Sequence, residues 1–154
     1  MKELTEEQAL AKAAALCSSA EKCTGQIRAK LAAWGMSEAQ SERITARLRD
    51  ERYIDDGRYC RAFCADKLRY NHWGRIKIHQ ALRQQGLDED DIAQGLDSLD
   101  SEEYEDILKE LIRQKGRTLR DTDPYVRRQK LLRHAYAHGF EPDFIMRHAD
   151  DAQQ

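Results

Sequence analysis

Apolar residues recur three and four positions apart along the chain, and the runs they form end in glycines and capping residues, a pattern that predicts helices. Ile27 and Leu31 share one helical face. Gly35 then offers a left-handed stop, Met36 packs back, and Ser37-x-x-Gln40 is a capping box for the next helix. The same logic returns at Ile78 and Leu82, with Gly86 as the stop, Asp88 as the cap, and Ile92, Leu96 and Leu99 at helical spacing. A fainter copy runs from Leu131 through Ala135 to His138-Gly139-Phe140 and Glu141-Pro142. The three glycines lie 51 and 53 residues apart, so one pattern is written three times.

Each copy has a preceding helix. Thr5-Glu6-Glu7-Gln8 is a capping box leading into Ala9 to Leu16. Asp55 or Asp56 leads into Tyr59, Phe63 and Leu68, and Ser101 leads into Ile107, Leu108, Leu111 and Ile112. The expected fold is all-α: three tandem three-helix repeats over residues 1–52, 53–100 and 101–154, stacked into an elongated, curved array. A 50-residue unit buries little on its own, so stacking should supply much of the stability.

Composition supports helices with wide solvated faces. Only 40% of the 154 residues are apolar and 35% are charged, with a mean hydropathy of −0.86, and two prolines and eight glycines leave little turn chemistry for a β or dinucleotide-binding fold. The longest uncharged run, Ala13 to Ala20, is far short of the roughly 20 residues of a membrane span. The acidic opening Met1-Lys2-Glu3 reads as the approach to a helix and not as a secretory signal. Cys17, Cys23, Cys60 and Cys64 are therefore expected to be reduced thiols in a cytoplasmic protein.

Charge is segregated beneath a net value of −2. Residues 53–86 carry a net +4 and 111–136 a net +6, separated by an 87–110 segment at −10. Two basic segments beside an acidic one suit a partner bearing phosphates or mixed charge. The candidate contacts are Arg69, Arg75, Lys77 and Arg83 in the second repeat, and Arg117, Arg127, Arg128, Lys130 and Arg133 in the third.

Tyr53-Ile54-Asp55-Asp56-Gly57-Arg58-Tyr59-Cys60-Arg61-Ala62-Phe63 resembles the central signature of the RecX family of bacterial recombinase regulators, and Trp73-Gly74-Arg75-Ile76-Lys77-Ile78 through Leu82 and Gln85-Gly86-Leu87 resembles the family's second motif. Ala81 and Gln85 depart from it, standing where many relatives have an acidic residue and a lysine. The resemblance implies three three-helix repeats and a non-enzymatic modulator. Such a modulator binds RecA, inserts along the RecA filament on single-stranded DNA, and suppresses recombinase, ATPase and co-protease activities. Contact with single- or double-stranded DNA, a monomeric state and no membrane association accompany this expectation. The alternative is a helical-repeat nucleic-acid-binding or scaffold module without a recombinase partner.

Other chemistry is weaker. Cys60-x-x-x-Cys64 and His134-x-x-x-His138 each place two metal-type ligands on one helical face, but in different repeats, and no metal or cofactor is expected. Cys23 at a helix start is a candidate for a lowered thiol pKa, with an inert role favoured. No phosphate loop, HExxH or GxSxG occurs, and Asp55-Asp56 and Asp90-Asp91 read as helix caps, so catalysis is not expected. Trp34 and Trp73 are expected to anchor repeat junctions, with base stacking as the other reading.

Overall fold

The computed structural model describes residues 4–152, with side chains through Asp150, so Met1 to Glu3 of the acidic opening lie outside the described residues. The described chain is helical throughout. Its order is α1 (Glu6–Ser19), α2 (Thr24–Ala33), α3 (Glu38–Asp50), α4 (Asp56–Asn71), α5 (Arg75–Gln84), α6 (Glu89–Asp97), α7 (Ser101–Thr118), α8 (Pro124–Ala137) and α9 (Pro142–Ala152).

Local chemistry sets most of the boundaries. Thr5 and Gln8 exchange capping bonds of 3.1 and 2.9 Å, and Ser37 and Gln40 bonds of 3.1 and 2.8 Å, which satisfy orphan N–H groups at the starts of α1 and α3. Asp55 caps α4, and Asp100, one residue before the expected Ser101, caps α7. Gly35, Gly86 and Gly139 have φ of +88°, +84° and +93°, and the residue after each donates back to Leu31, Leu82 or Ala135. All three stops therefore have the left-handed geometry that glycine adopts without a Cβ penalty. Leu99 falls just beyond α6 and is buried from the following turn.

The stacking is uneven. Ala9, Ala13, Ile27, Leu31, Met36, Ile44 and Leu48 make one core around α1 to α3, closed by Ile54 from the segment that leads into α4. A second, continuous core joins α4 through α9, from Tyr59, Leu68 and Ile78 to Leu108, Ile112, Phe140 and Ile145. Cys23, at the start of α2, is buried in this second core. The first unit meets the second at few points: Thr24 N–H and Oγ1 each donate to the Asp56 carboxylate at 2.8 Å, and Arg58 pairs with Glu21. The accessible surface is 9583 Å², against about 8,000 Å² for a compact monomer of this mass. The molecule is elongated.

Candidate functional site: a basic and aromatic seam

Repeats two and three meet turn against turn. The α4–α5 turn leaves α4 at His72 in the left-handed region (φ 55°), and the N–H groups of Gly74 and Ile76 donate to the carbonyls of His138 and Gly139 at 2.8 and 2.9 Å. A Cβ on Gly74 would lie 2.5 Å from the Gly139 carbonyl, so only glycine permits this approach. His138 Nδ1 is 2.9 Å from the His72 carbonyl; since a carbonyl only accepts, Nδ1 carries the proton. Below the turns, the buried Tyr104 hydroxyl accepts from Arg75 N–H at 3.0 Å and donates to Glu141. The Arg75 guanidinium lies 3.9 Å from the Tyr104 ring centre and pairs with Glu141 at 3.1 Å. Burial and the Glu141 carboxylate push the Tyr104 phenol up, so it remains the donor at any physiological pH.

Above this latch is a half-buried strip of cations and rings. The Lys67 and Lys77 ammonium groups each lie 4.8 Å from the Trp73 ring centre, with Lys67 also 5.4 Å from Phe63. Across the turn contact, the His138 and His134 rings meet tilted with centres 4.7 Å apart, and His134 joins Lys115, Lys130 and Arg133 around a hollow floored by Leu119 and Ala137. Burial, His138 and Lys115, in that order, hold the His134 imidazole below its ordinary value. An anion brought here would relieve that repulsion. Positive charge flanking a half-buried tryptophan suits a phosphate backbone with stacked bases.

The sequence candidates divide sharply. Arg69 pairs with Glu103, Arg83 with Glu89, Arg117 with Glu110, Arg128 with Asp150 and Lys130 with Asp121. Arg75 belongs to the Tyr104 latch. Arg127 donates to the carbonyls of Gly116, Leu119 and Asp121 at 3.0 to 3.3 Å, tying the end of α7 to α8. Lys77 and Arg133 make no ion pair among the described residues, and the seam contains both. Sequence selection by segment charge passed over Lys67, Lys115, His134 and His138 as anion contacts. A signal was available, because Phe63 and Lys67 stand one helical turn apart and Trp73 and Lys77 stand four residues apart across the start of a helix.

Trp73 does sit at a repeat junction, whereas Trp34 lies under Lys12 at 4.4 Å and staples α1 to α2 inside its own repeat. Cys60 and Cys64 are buried in the α4 core, where burial pushes both thiols up to about 12, and His134 and His138 belong to the seam. Burial also raises the Cys23 thiol, which corrects the expectation of a lowered value at a helix start. Among the described residues no group of three or more His, Cys, Asp or Glu is arranged to hold a metal, and no helix is long and apolar enough to cross a membrane.

Two family models match the part of the chain that carries the seam: RecX, second three-helix domain, over residues 55–96, and RecX, third three-helix domain, over residues 102–147. Together they take in more than half of it. The chain belongs to the RecX family. The regulatory protein RecX of Clostridium perfringens (strain 13 / Type A) is 31% identical over 120 residues, covering 77% of this chain and 56% of the relative. That of Clostridium botulinum (strain Eklund 17B / Type B) is 32% identical over 122 residues, covering 78% and 57%. The chain thus spans about half the length of the curated relatives it matches. A crystal structure of regulatory protein RecX superposes with a TM-score of 0.81 at 26% identity, covering 94% of this chain and 74% of that one. RecX from Lactobacillus salivarius superposes at 0.89, covering 96% of both chains, and at 16% identity it speaks for the fold.

Proposed function

We propose that this chain is a non-catalytic regulator that binds RecA and its filament on single-stranded DNA and lowers the filament's recombinase, ATPase and co-protease activities, working in the cytoplasm where such a filament forms. The observation that carries the reading is the seam: Lys67 and Lys77 flank Trp73 on one side of the junction of the two matched repeats and Lys115 and Arg133 line the hollow beside His134 on the other, all four without an ion pair among the described residues. An elongated array with a basic strip on one edge and acidic α6 and α7 beside it complements a groove offering both protein charge and DNA phosphate. Arg69, Arg83, Arg117, Arg128 and Lys130 form a second tier. Their exposed ion pairs are worth about 0–1 kcal/mol each, so they can exchange a carboxylate for a phosphate at little cost. Arg75 and Arg127 serve by holding the seam's geometry.

The test is the DNA-dependent ATPase of RecA with stoichiometric amounts of the chain. Wild type should inhibit, and inhibition should weaken as salt rises. The combined Lys67→Ala, Lys77→Ala, Lys115→Ala and Arg133→Ala variant should stay helical, since alanine favours helices. Its inhibition should drop about tenfold or more, and its affinity for single-stranded DNA should show a log–log salt slope shallower by about 3. Equal inhibition by the folded variant at every salt concentration would reject the seam. A wild-type chain that binds DNA yet leaves RecA unaffected would favour the module without a recombinase partner.

A further inference from the structure

Each repeat has a groove between its second and third helix, and positions equally spaced from the three glycine stops line it with different chemistry. In repeat one, Arg28 of α2 pairs with Glu42 of α3 across the groove. In repeat two, His79 and Arg83 of α5 both pair with Glu89 of α6, at 2.9 and 3.1 Å. In repeat three the positions of Arg28 and His79 hold Leu132, those of Ala32 and Arg83 hold Tyr136, those of Glu38 and Glu89 hold Pro142, and that of Glu42 holds Met146. Ile145 forms the floor. Charge pairs have been replaced by an apolar trough, although the other two repeats show that the helix pair packs without one. Tyr136 and Met146 remain 60% and 51% exposed, and Tyr125, 71% exposed, continues the same stripe of α8. Side chains this apolar left in water at one place mark a contact surface.

The occupant can be argued from size and charge. The trough measures about 240 Å³, below the range of pockets that enclose a small-molecule ligand and suited to one or two side chains of a partner helix. Its lining holds one cation, Arg133, and no carboxylate, whereas the grooves of repeats one and two contain Glu38, Glu42 and Glu89. Arg128, paired with Asp150 at 3.1 Å, closes one end and reaches the Met146 sulfur. We infer that the α8–α9 groove is a docking site for an amphipathic helix of a partner protein, which sets two apolar anchors one turn apart onto Leu132, Tyr136 and Met146 and a carboxylate onto Arg133. Arg133 is shared with the hollow beside His134, and the site stands whether or not the partner is the recombinase.

The experiment is selection of a displayed helical-peptide library against the full chain, followed by anisotropy with the recovered peptides. The expected peptides carry Leu, Ile, Phe or Met at i and i+3 or i+4 with a flanking Asp or Glu. Their affinity should fall about tenfold with either Tyr136→Glu or Met146→Glu, which alter exposed positions on separate helices, and the Arg133→Glu chain should prefer the peptides with Lys in place of the acid. Circular dichroism verifies that each variant is folded. Recovery of no such pattern, wild-type affinity in either folded variant, or indifference to the sign of the flanking charge would overturn the proposal. So would concentration-dependent dimerisation abolished by Met146→Glu, which would assign the groove to a second copy.

Discussion

Single glycines in the turns of the repeats do two different jobs, and alanine substitution should separate them. At Gly35 and Gly86 a Cβ meets nothing within 4 Å, so only the left-handed conformation is penalised, and each Ala change should cost about 1–2 kcal/mol. Gly74 has an ordinary extended φ of −84°, yet its Cβ would collide with Gly139 and Phe140 backbone, so Gly74→Ala must part the two turns. A loss of about 3 kcal/mol in urea unfolding is expected there, at the upper end for overpacking. Tyr104→Phe should cost about 1.5–3 kcal/mol, because it strips the charged Glu141 carboxylate of a donor and the Arg75 N–H of an acceptor. His134 supplies a pH prediction. Its folded value is depressed, so its contribution to stability is whole above the ordinary histidine range and fades as pH falls through the depressed value. A bound phosphate acts the other way by favouring the imidazolium. Between pH 7.5 and 5.5, wild type should lose melting temperature relative to His134→Gln while gaining affinity for a single-stranded oligonucleotide relative to it. Parallel behaviour of the two proteins would remove His134 from the seam.

Helix by helix, the chain was legible where the signal is local. Thr5, Ser37 and Asp88 cap what their sequence contexts say they cap, and Gly35, Gly86 and Gly139 stop what they should stop, because those bonds reach only two to five residues along the chain. Arg127 shows where legibility ends. Nothing near it in sequence announces that the chain reverses over 119–123 and brings three carbonyls to one guanidinium, so charge alone made it a surface candidate. Its element-level role is checkable: Arg127→Lys keeps the charge but cannot span three acceptors. Hydrogen exchange at the C-terminal turn of α7 should speed up several-fold, with a global loss of about 1–2 kcal/mol.

Across the whole molecule, the sequence conveyed three similar copies, and the structure pairs two of them against one. Similarity of pattern says nothing of how much surface neighbouring copies share; that depends on Gly74 and Gly139 letting backbones touch, and on Tyr104 and Phe140 filling the space beside them. The eight buried apolar residues of the first core against nineteen in the second imply unequal stability. The two tryptophans report separately, Trp34 on the first core and Trp73 on the second. In urea, the Trp73→Phe chain should lose its remaining fluorescence transition at a lower midpoint than the Trp34→Phe chain, and coincident midpoints would mean a single cooperative unit. Scattering should give a radius of gyration above the roughly 15 Å of a compact chain of this length.

Cys23 carries a consequence for how such a chain can be cut and rejoined. It belongs by sequence to the first copy, yet its side chain completes the interior of the second, and its neighbour Thr24 takes both oxygens of Asp56. The boundary between copies in the sequence and the boundary between cores in the packing therefore do not coincide. A fragment starting at residue 53 would carry a hole where the thiol stood, while one starting ahead of Glu21 would bring its own plug. Recombination between ancestral copies would have met the same constraint: a whole copy moved by its sequence boundaries leaves part of its neighbour's interior behind.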